Sequence, residues 1–277
     1  ELRSIWPQKY SVQDLLDKRE SLRAIGKERL WYKEFQCQLV RGDDSPIGAE
    51  DFLYYDGYLE EHQEGALVRH YLHVTHRGRD DNDEPMPLGE DEIIPVNVTM
   101  GVDPASSTRK SADYSTIVVV AWTAEGHPYV VDYYQKQVDP LTHADAIYSF
   151  YNRYHPLMTR IESDGYQTML RQYLNSPRHF DKRIPGLDAK AMAGRSGKKK
   201  VQRHLGLQYL FKKQDFHVKA HMQTFRDEWI LMKDADNDDL RDGFWWADKC
   251  KSLPIHTVED KERTRRRRAP RRDPMLA

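Results

Sequence analysis

Val96-Asn97-Val98-Thr99-Met100-Gly101-Val102-Asp103 is the stretch on which the reading of this chain turns. Val96, Val98, Met100 and Val102 alternate with Asn97, Thr99, Gly101 and Asp103, a period of two that specifies a strand with one apolar face and a carboxylate at its end. After Pro104-Ala105-Ser106-Ser107-Thr108, residues Tyr114 to Trp122 form a β-branched run, the mark of a strand buried on both faces. Glu125-Gly126-His127 can reverse the chain into a third strand, Tyr129 to Tyr134. Asp139-Pro140 is a cap and first-turn pair, and Leu141, Ala144, Ile147, Tyr148 and Tyr151 then share one helical face. A short strand at Met158–Glu162, an Asp164-Gly165 turn and a helix from Tyr166 to Leu174 follow. Three strands, helix, strand, helix is the order of an α/β fold.

Outward from this unit the signals weaken. Downstream, a strand near Ile184–Ala191, a basic loop at Arg195–Arg203 and helices around Phe225–Lys233 and Asp239–Cys250 are expected. Upstream, Ser11 as N-cap and Gly26 as stop bracket a helix carrying Val12, Leu15, Leu16 and Leu22. Residues Gly42 to Asp56 read as an irregular connector, and Asp80 to Glu92 as an exposed acidic boundary loop. The expected organisation is a mainly helical connector at 1–92, the α/β domain at 93–255 and a basic, disordered tail at 256–277. Within that tail, eight Lys and Arg stand against four acids between Glu259 and Ala277.

Composition narrows the function. The 277 residues carry 43 Lys and Arg against 44 Asp and Glu, a formal charge of -1, so a uniformly basic nucleic-acid binder is excluded. Charged residues make up 31% and no apolar run approaches a membrane span, so no membrane partner is expected. No signal-peptide pattern opens the sequence, and Cys37 and Cys250 alone provide neither a disulfide framework nor a Cys-rich zinc site. A reducing compartment is the default.

Carboxylates fall at the ends of three expected elements: Asp103 after the first strand, Glu162 after the fourth, and Asp238, Asp239 and Asp242 opening the last helix. Each alone has an ordinary explanation as a turn former, a surface residue or a helix cap. If the two strands are parallel neighbours, however, Asp103 and Glu162 meet, and a helix packed on the sheet delivers Asp238 or Asp239 to them. Oxygen ligands grouped this way suit Mg²⁺ or Mn²⁺, and two such ions about 4 Å apart support in-line hydrolysis of a phosphodiester. Asp164, two residues beyond Glu162, is a possible further ligand. Asp242 shares a helical face with Asp238 at i,i+4 and stands i,i+3 from Asp239, so it can support either.

At these residues the sequence resembles the nuclease domain of tailed-bacteriophage terminase large subunits. Gly101-Val102-Asp103-Pro104-Ala105 with Asp113-Tyr114-Ser115 is similar to that family's first strand pair. Ile161-Glu162-Ser163-Asp164-Gly165-Tyr166-Gln167 resembles its second acidic motif, and Asp238-Asp239-Leu240-Arg241-Asp242-Gly243 the third, where Ala usually follows the last Asp. Leu2 to Tyr10 with Trp6-Pro7, and Phe35-Gln36, look like the segment joining the terminase ATPase module to its nuclease. The resemblance implies an RNase H-like fold, a mixed sheet flanked by helices, and a metal-dependent endonuclease that cuts concatemeric viral DNA during packaging in the cytoplasm of the infected bacterial host. Asp103, Glu162 and Asp239 would be its catalytic metal ligands, with two Mg²⁺ or Mn²⁺ ions as cofactors. Double-stranded DNA, the portal protein and the small terminase subunit would be its partners. No Gly-x4-Gly-Lys-[Ser/Thr] loop occurs, and Gly194-Arg195-Ser196-Gly197-Lys198 lacks that spacing, so no ATPase activity is expected of these residues and a nuclease part of a longer motor protein is inferred.

The cationic run Arg195, Lys198, Lys199, Lys200 and Arg203, with Arg109 and Lys110 after Asp103, supplies candidate DNA-backbone contacts. His70, His73 and His76 recur every third residue, as on one side of a helix, but lack a fourth zinc ligand. Phe244, Trp245 and Trp246 read as core, with base stacking a lesser alternative. Two rivals remain open: an RNase H-like transposase, integrase or resolvase, and a non-catalytic DNA- or portal-docking module whose carboxylates are only caps.

Overall fold

A computed structural model of the chain describes residues 7–24, 28–35, 46–65, 67–79, 85–105, 114–162, 184, 187–190, 202–212, 215–232, 235 and 237–255. The helix expected at 166–174, the run Arg195 to Lys200 and the basic tail lie outside the described residues. So do Arg109, Lys110 and Asp164.

Helix α1 (Val12–Ala24) starts at the expected cap: the Asp14 N–H donates to Ser11 Oγ at 3.1 Å while the Ser11 N–H donates to Asp14 Oδ2 at 2.9 Å. Helix α2 (Glu28–Phe35) follows. The expectation of a mainly helical connector fails beyond residue 52. There the chain forms strand β1 (Leu53–Glu64), strand β2 (Leu67–Arg79) and the first half of β3 (Pro85–Asp103). Residues 85–92, expected within an exposed loop, are part of β3, with Glu92 opposite Val74. β1 and β2 make an antiparallel hairpin, and β2 pairs in turn with the first half of β3. The histidines are therefore strand residues, and His70 and His73 fall on opposite faces, which removes the shared helical side. Leu72 and Val74 are buried in the core while His73 bonds Glu60 across the hairpin.

The second half of β3 pairs antiparallel with β4 (Ser115–Trp122), which pairs antiparallel with β5 (Pro128–Lys136). All eight residues of β4 are buried, as its continuous β-branched run requires. Helix α3 (Pro140–Tyr154) begins as expected, the Asp139 carboxylate accepting from the N–H groups of Leu141 and Thr142. It leads to β6 (Met158–Glu162), parallel to β3, and β7 (Leu187–Lys190) lies parallel to β6. Helix α4 (Gln208–Lys212), strand β8 (His217–Val218), helix α5 (Gln223–Leu231) and helix α6 (Asp239–Lys249) follow, and a single 3-10 turn at Ala49–Asp51 precedes β1. The strand order is β2-β1-β8-β5-β4-β3-β6-β7, and the added β2–β3 pairing closes the first six strands into a ring.

Alternation along β3 sends side chains into two cores. Val98, Met100 and Val102 join Ile117, Val119, Ile161 and the α3 residues Ala144 and Ile147 on one face. On the other, Val118, Val120 and Trp122 pack under α4, α5 and α6 with Phe211, Phe216, Phe225, Trp229 and Phe244. Thr99, Gly101 and Asp103 face α6. The seat of that helix is a glycine contact: a Cβ on Gly101 would lie 2.0 Å from the Gly243 carbonyl oxygen and 2.4 Å from the Ala247 nitrogen. A Cβ on Gly243 would meet Val118 Cγ2 at 2.8 Å and Thr116 Oγ1 at 3.2 Å. Gly243, where Ala is usual in the resembling motif, thus brings the helix down onto β3 and β4. Thr99 Oγ1 fastens the contact, donating to the Ala247 carbonyl at 3.1 Å and accepting from Trp122 Nε1 at 2.8 Å.

Candidate metal centre

The parallel pairing of Val102 with Ile161 places Asp103 beside Glu162 at the same end of the sheet. Their neighbours Val102 and Ile161 point into the α3-side core, so both carboxylates point to the α6 face. Helix α6 starts over that end. Its N-terminal turn is held by Thr116 Oγ1, donating to the Asp239 carbonyl at 3.0 Å, and by the Tyr114 N–H, donating to Asp239 Oδ2 at 3.2 Å. Asp239 and Asp242 are buried there, as are Asp103 and Glu162.

Asp103 is under the electrostatic influence of the other three carboxylates. Burial pushes the Asp103 carboxyl well above its ordinary range, and the negative charges of Asp242, Glu162 and Asp239 push it further, with a hydrogen bond shared with Glu162. Four carboxylates gathered out of water repel one another unless protons or cations neutralise them. Protein donors do part of this: His204 Nε2 stands 2.8 Å from Asp242 Oδ1, and Arg203 Nη2 is 3.7 Å from the same oxygen. Among the described residues no three acidic, imidazole or thiol groups already close around a single point as a formed metal site. The donor set itself is all carboxylate oxygen, which fits hard divalent cations rather than zinc or copper.

The sequence-expected residues separate. Asp103, Glu162, Asp239 and Asp242 come together. Asp238 sits apart, its side chain 37% exposed and 3.9 Å from Arg241 Nη2, and although it is the N-cap residue its carboxylate makes no cap hydrogen bond. That role falls to Glu228 of α5, whose Oε2 accepts from the N–H groups of Leu240 at 3.0 Å and Arg241 at 3.3 Å. Burial, with the nearby Asp239 charge, raises the Glu228 carboxyl to about 7. Arg241 ties the end of α5 to α6, Nη2 donating to the Met232 carbonyl at 3.1 Å. Arg203, expected on an open basic loop, is only 12% exposed and lies between Asp242 and the Trp245 ring.

His204, Glu228, Arg241 and Thr116 were not singled out by the sequence reading. Glu228 had a signal, an acid sharing a helical stripe with Phe225 and Trp229; His204 had none, because its partner is 38 residues away.

The profile of the terminase RNaseH-like domain family matches residues 100–241, the segment from the second half of β3 to the start of α6. The chain belongs to that family. The matched segment contains Asp103, Glu162 and Asp239, and the strand order β5-β4-β3-β6-β7 within it is the RNase H-like sheet. Solved structures resemble this terminase domain at low identity. The large terminase nuclease from thermophilic phage G20c is 13% identical, covers 70% of this chain and 93% of its own, and has a TM-score of 0.42. The same nuclease with bound magnesium gives 13% identity, 71% and 92% coverage and a TM-score of 0.43. T. thermophilus RuvC in complex with Holliday junction substrate gives 14% identity, 55% and 90% coverage and a TM-score of 0.32. No curated protein sequence matches the chain.

Proposed function

We propose that this terminase domain is a metal-dependent DNA endonuclease that cuts concatemeric viral DNA during genome packaging. The observation that carries the reading is the gathering of buried Asp103, Glu162 and Asp239, all within the family-matched segment, with Asp242 just beyond it, at one sheet end. Asp103 and Glu162 from β3 and β6, with Asp239 from α6, would hold two Mg²⁺ or Mn²⁺ ions. When bound, such a pair supplies a water activated at neutral pH and charge neutralisation at the phosphate. The chain's own part is positional. The β3–β6 pairing fixes the separation of Asp103 and Glu162, the glycine seat and Thr116 fix the height of Asp239, and His204 orients Asp242 as a supporting carboxylate. No nucleophilic side chain is required by this arrangement.

Double-stranded DNA is the substrate in this reading. The portal protein and small terminase subunit are proposed partners, and the cytoplasm of the infected bacterium the place of action, on the family relation alone. That relation sets the packaging role above the transposase, integrase and resolvase alternatives. Calorimetric titration of Mn²⁺ into the folded chain tests the metal centre: two ions should bind, with loss of at least one in Asp103→Asn and Glu162→Gln. Absence of carboxylate-dependent binding would leave the docking-module reading in its place.

A further inference from the structure

Asp242, Trp245 and Lys249 lie at i, i+3 and i+7 on α6, so one face of the helix runs from the carboxylates outward. Two cations sit on the Trp245 indole: the Arg203 guanidinium carbon 5.3 Å from the ring centroid and Lys249 Nζ 5.2 Å from it. Both distances are those of cation–π contacts. Arg203 is short of acceptors. Its Nε and Nη1 are buried without a hydrogen-bond partner, and among the described residues the anion beside it is Asp242, at the edge of the metal centre. Lys249 is exposed, and no ion pair to it is found among the described residues. The neighbouring Asp248 carboxylate is engaged by Lys251 at 3.1 Å. Arg160 of β6, two residues before Glu162, donates from Nη1 to the Lys249 carbonyl at 2.5 Å and so anchors that end of the helix to the sheet.

We propose that Arg203 and Lys249, both seated on Trp245, form a clamp for two backbone phosphates of the DNA strand running away from the carboxylate cluster. The clamp deepens the nuclease reading and rests on it. With the two cations 5.3 Å and 5.2 Å from one ring centroid, both charges are held within a short stretch of a single DNA strand. Exposed Lys249 offers a point charge to one phosphate, and Arg203, 12% exposed, adds its positive charge at the next. Trp245 contributes no charge. It is a positioning residue that holds two mutually repelling cations within one ring's reach.

That division of labour has a distinctive test. The affinity of the whole chain for a labelled DNA duplex is measured in EDTA over a series of salt concentrations, by fluorescence anisotropy, for the wild type, Lys249→Gln, Trp245→Leu and Trp245→Phe. Lys249→Gln should weaken binding severalfold and lower the slope of log affinity against log salt by about one ion. Trp245→Leu should also lower that slope, although it removes no charge, because the cations lose their seat. Trp245→Phe, which keeps a weaker aromatic face, should fall between Leu and wild type and covers the case in which the Leu variant fails to fold. An unchanged slope in Lys249→Gln overturns the clamp. So does a Trp245→Leu variant that weakens binding with its slope intact, since that is the signature of stacking or of general loosening. DNA binding that depends on the clamp in a chain that cuts nothing would uphold the clamp and refute the nuclease reading; absence of DNA binding refutes both.

Discussion

Gly101→Ala should damage the metal centre without touching any carboxylate. The added methyl would lie 2.0 Å from the Gly243 carbonyl oxygen, 2.4 Å from the Ala247 nitrogen and 3.0 Å from the Trp246 carbonyl carbon, all backbone atoms that cannot rotate away. Relief to ordinary contact requires α6 to retreat by about 1 Å or more. Overpacking of this kind costs about 1–3 kcal/mol, and the Thr99 to Ala247 hydrogen bond, if broken, about 1 more. A total of about 2–4 kcal/mol should lower the melting temperature by about 5–15 °C. Because α6 also carries Asp239 and Asp242, a shift near 1 Å should cost about a hundredfold in cleavage rate, measured well below the variant's melting point. Gly243→Ala is the graded comparison. Its methyl meets side chains rather than backbone, Val118 Cγ2 at 2.8 Å and Thr116 Oγ1 at 3.2 Å, a smaller overlap than at Gly101, and a helical Gly replaced by Ala recovers up to about 1 kcal/mol, so its loss should be the milder one. Thermal unfolding and plasmid nicking of the two variants should therefore diverge. A Gly101→Ala protein as stable and active as wild type would show that α6 is not seated on β3 in this way.

His204→Phe should leave Asp242 without its imidazole partner, lowering Mn²⁺ affinity about 10- to 100-fold in a calorimetric titration. Thr116→Val keeps the side-chain shape and removes one hydrogen bond to the first turn of α6, so a loss of about 1 kcal/mol in denaturant unfolding is expected, with weaker metal binding. Burial holds the imidazoles of His143 and His217 down to about 4 and about 3, so both are neutral in the fold. As pH falls below about 6.5 the unfolded chain takes up these protons first, so their stability contribution, fully present above that pH, is lost toward pH 4, at up to about 1.4 kcal/mol per pH unit for each histidine. Unfolding free energies of His143→Phe against wild type between pH 7 and 5 should show a shallower decline in the variant.

The β3–β4–β5–α3–β6 order was legible because each element carries its own periodicity and punctuation. Val96 to Val102 alternate, Ile117 to Trp122 are uniformly apolar, and Asp139-Pro140 marks a helix start whatever surrounds it. The hairpin was not legible. Its strands carry Glu60, Glu61, His62, Arg69, His70 and His73, so the alternation of Leu72 and Val74 is diluted by polar residues that pair across the strands or with α3, as Glu61 does with His155. The three-residue spacing of the histidines imitates a helix, and only the pairing partner determines otherwise. In the site, Asp103 and Glu162 could be found from sequence because parallel neighbours put equivalent strand ends together. Asp239 and Asp242 were named together with Asp238, and separating them needed the helix phase fixed by Gly101 and Gly243, a contact between backbones with no side-chain signature. His204 and Glu228 act across chain separations that no local pattern encodes.

Cleavage of supercoiled plasmid by the folded chain in Mn²⁺, Mg²⁺ and EDTA, alongside Asp103→Asn, Glu162→Gln and Asp239→Asn, tests the central claim most directly. Nicking and linearisation that require the metal, and that each isosteric variant abolishes while keeping its fold, are the predicted result. A wild type inert in both metals, or variants that cut as fast as it does, would contradict the assignment of these carboxylates to DNA hydrolysis.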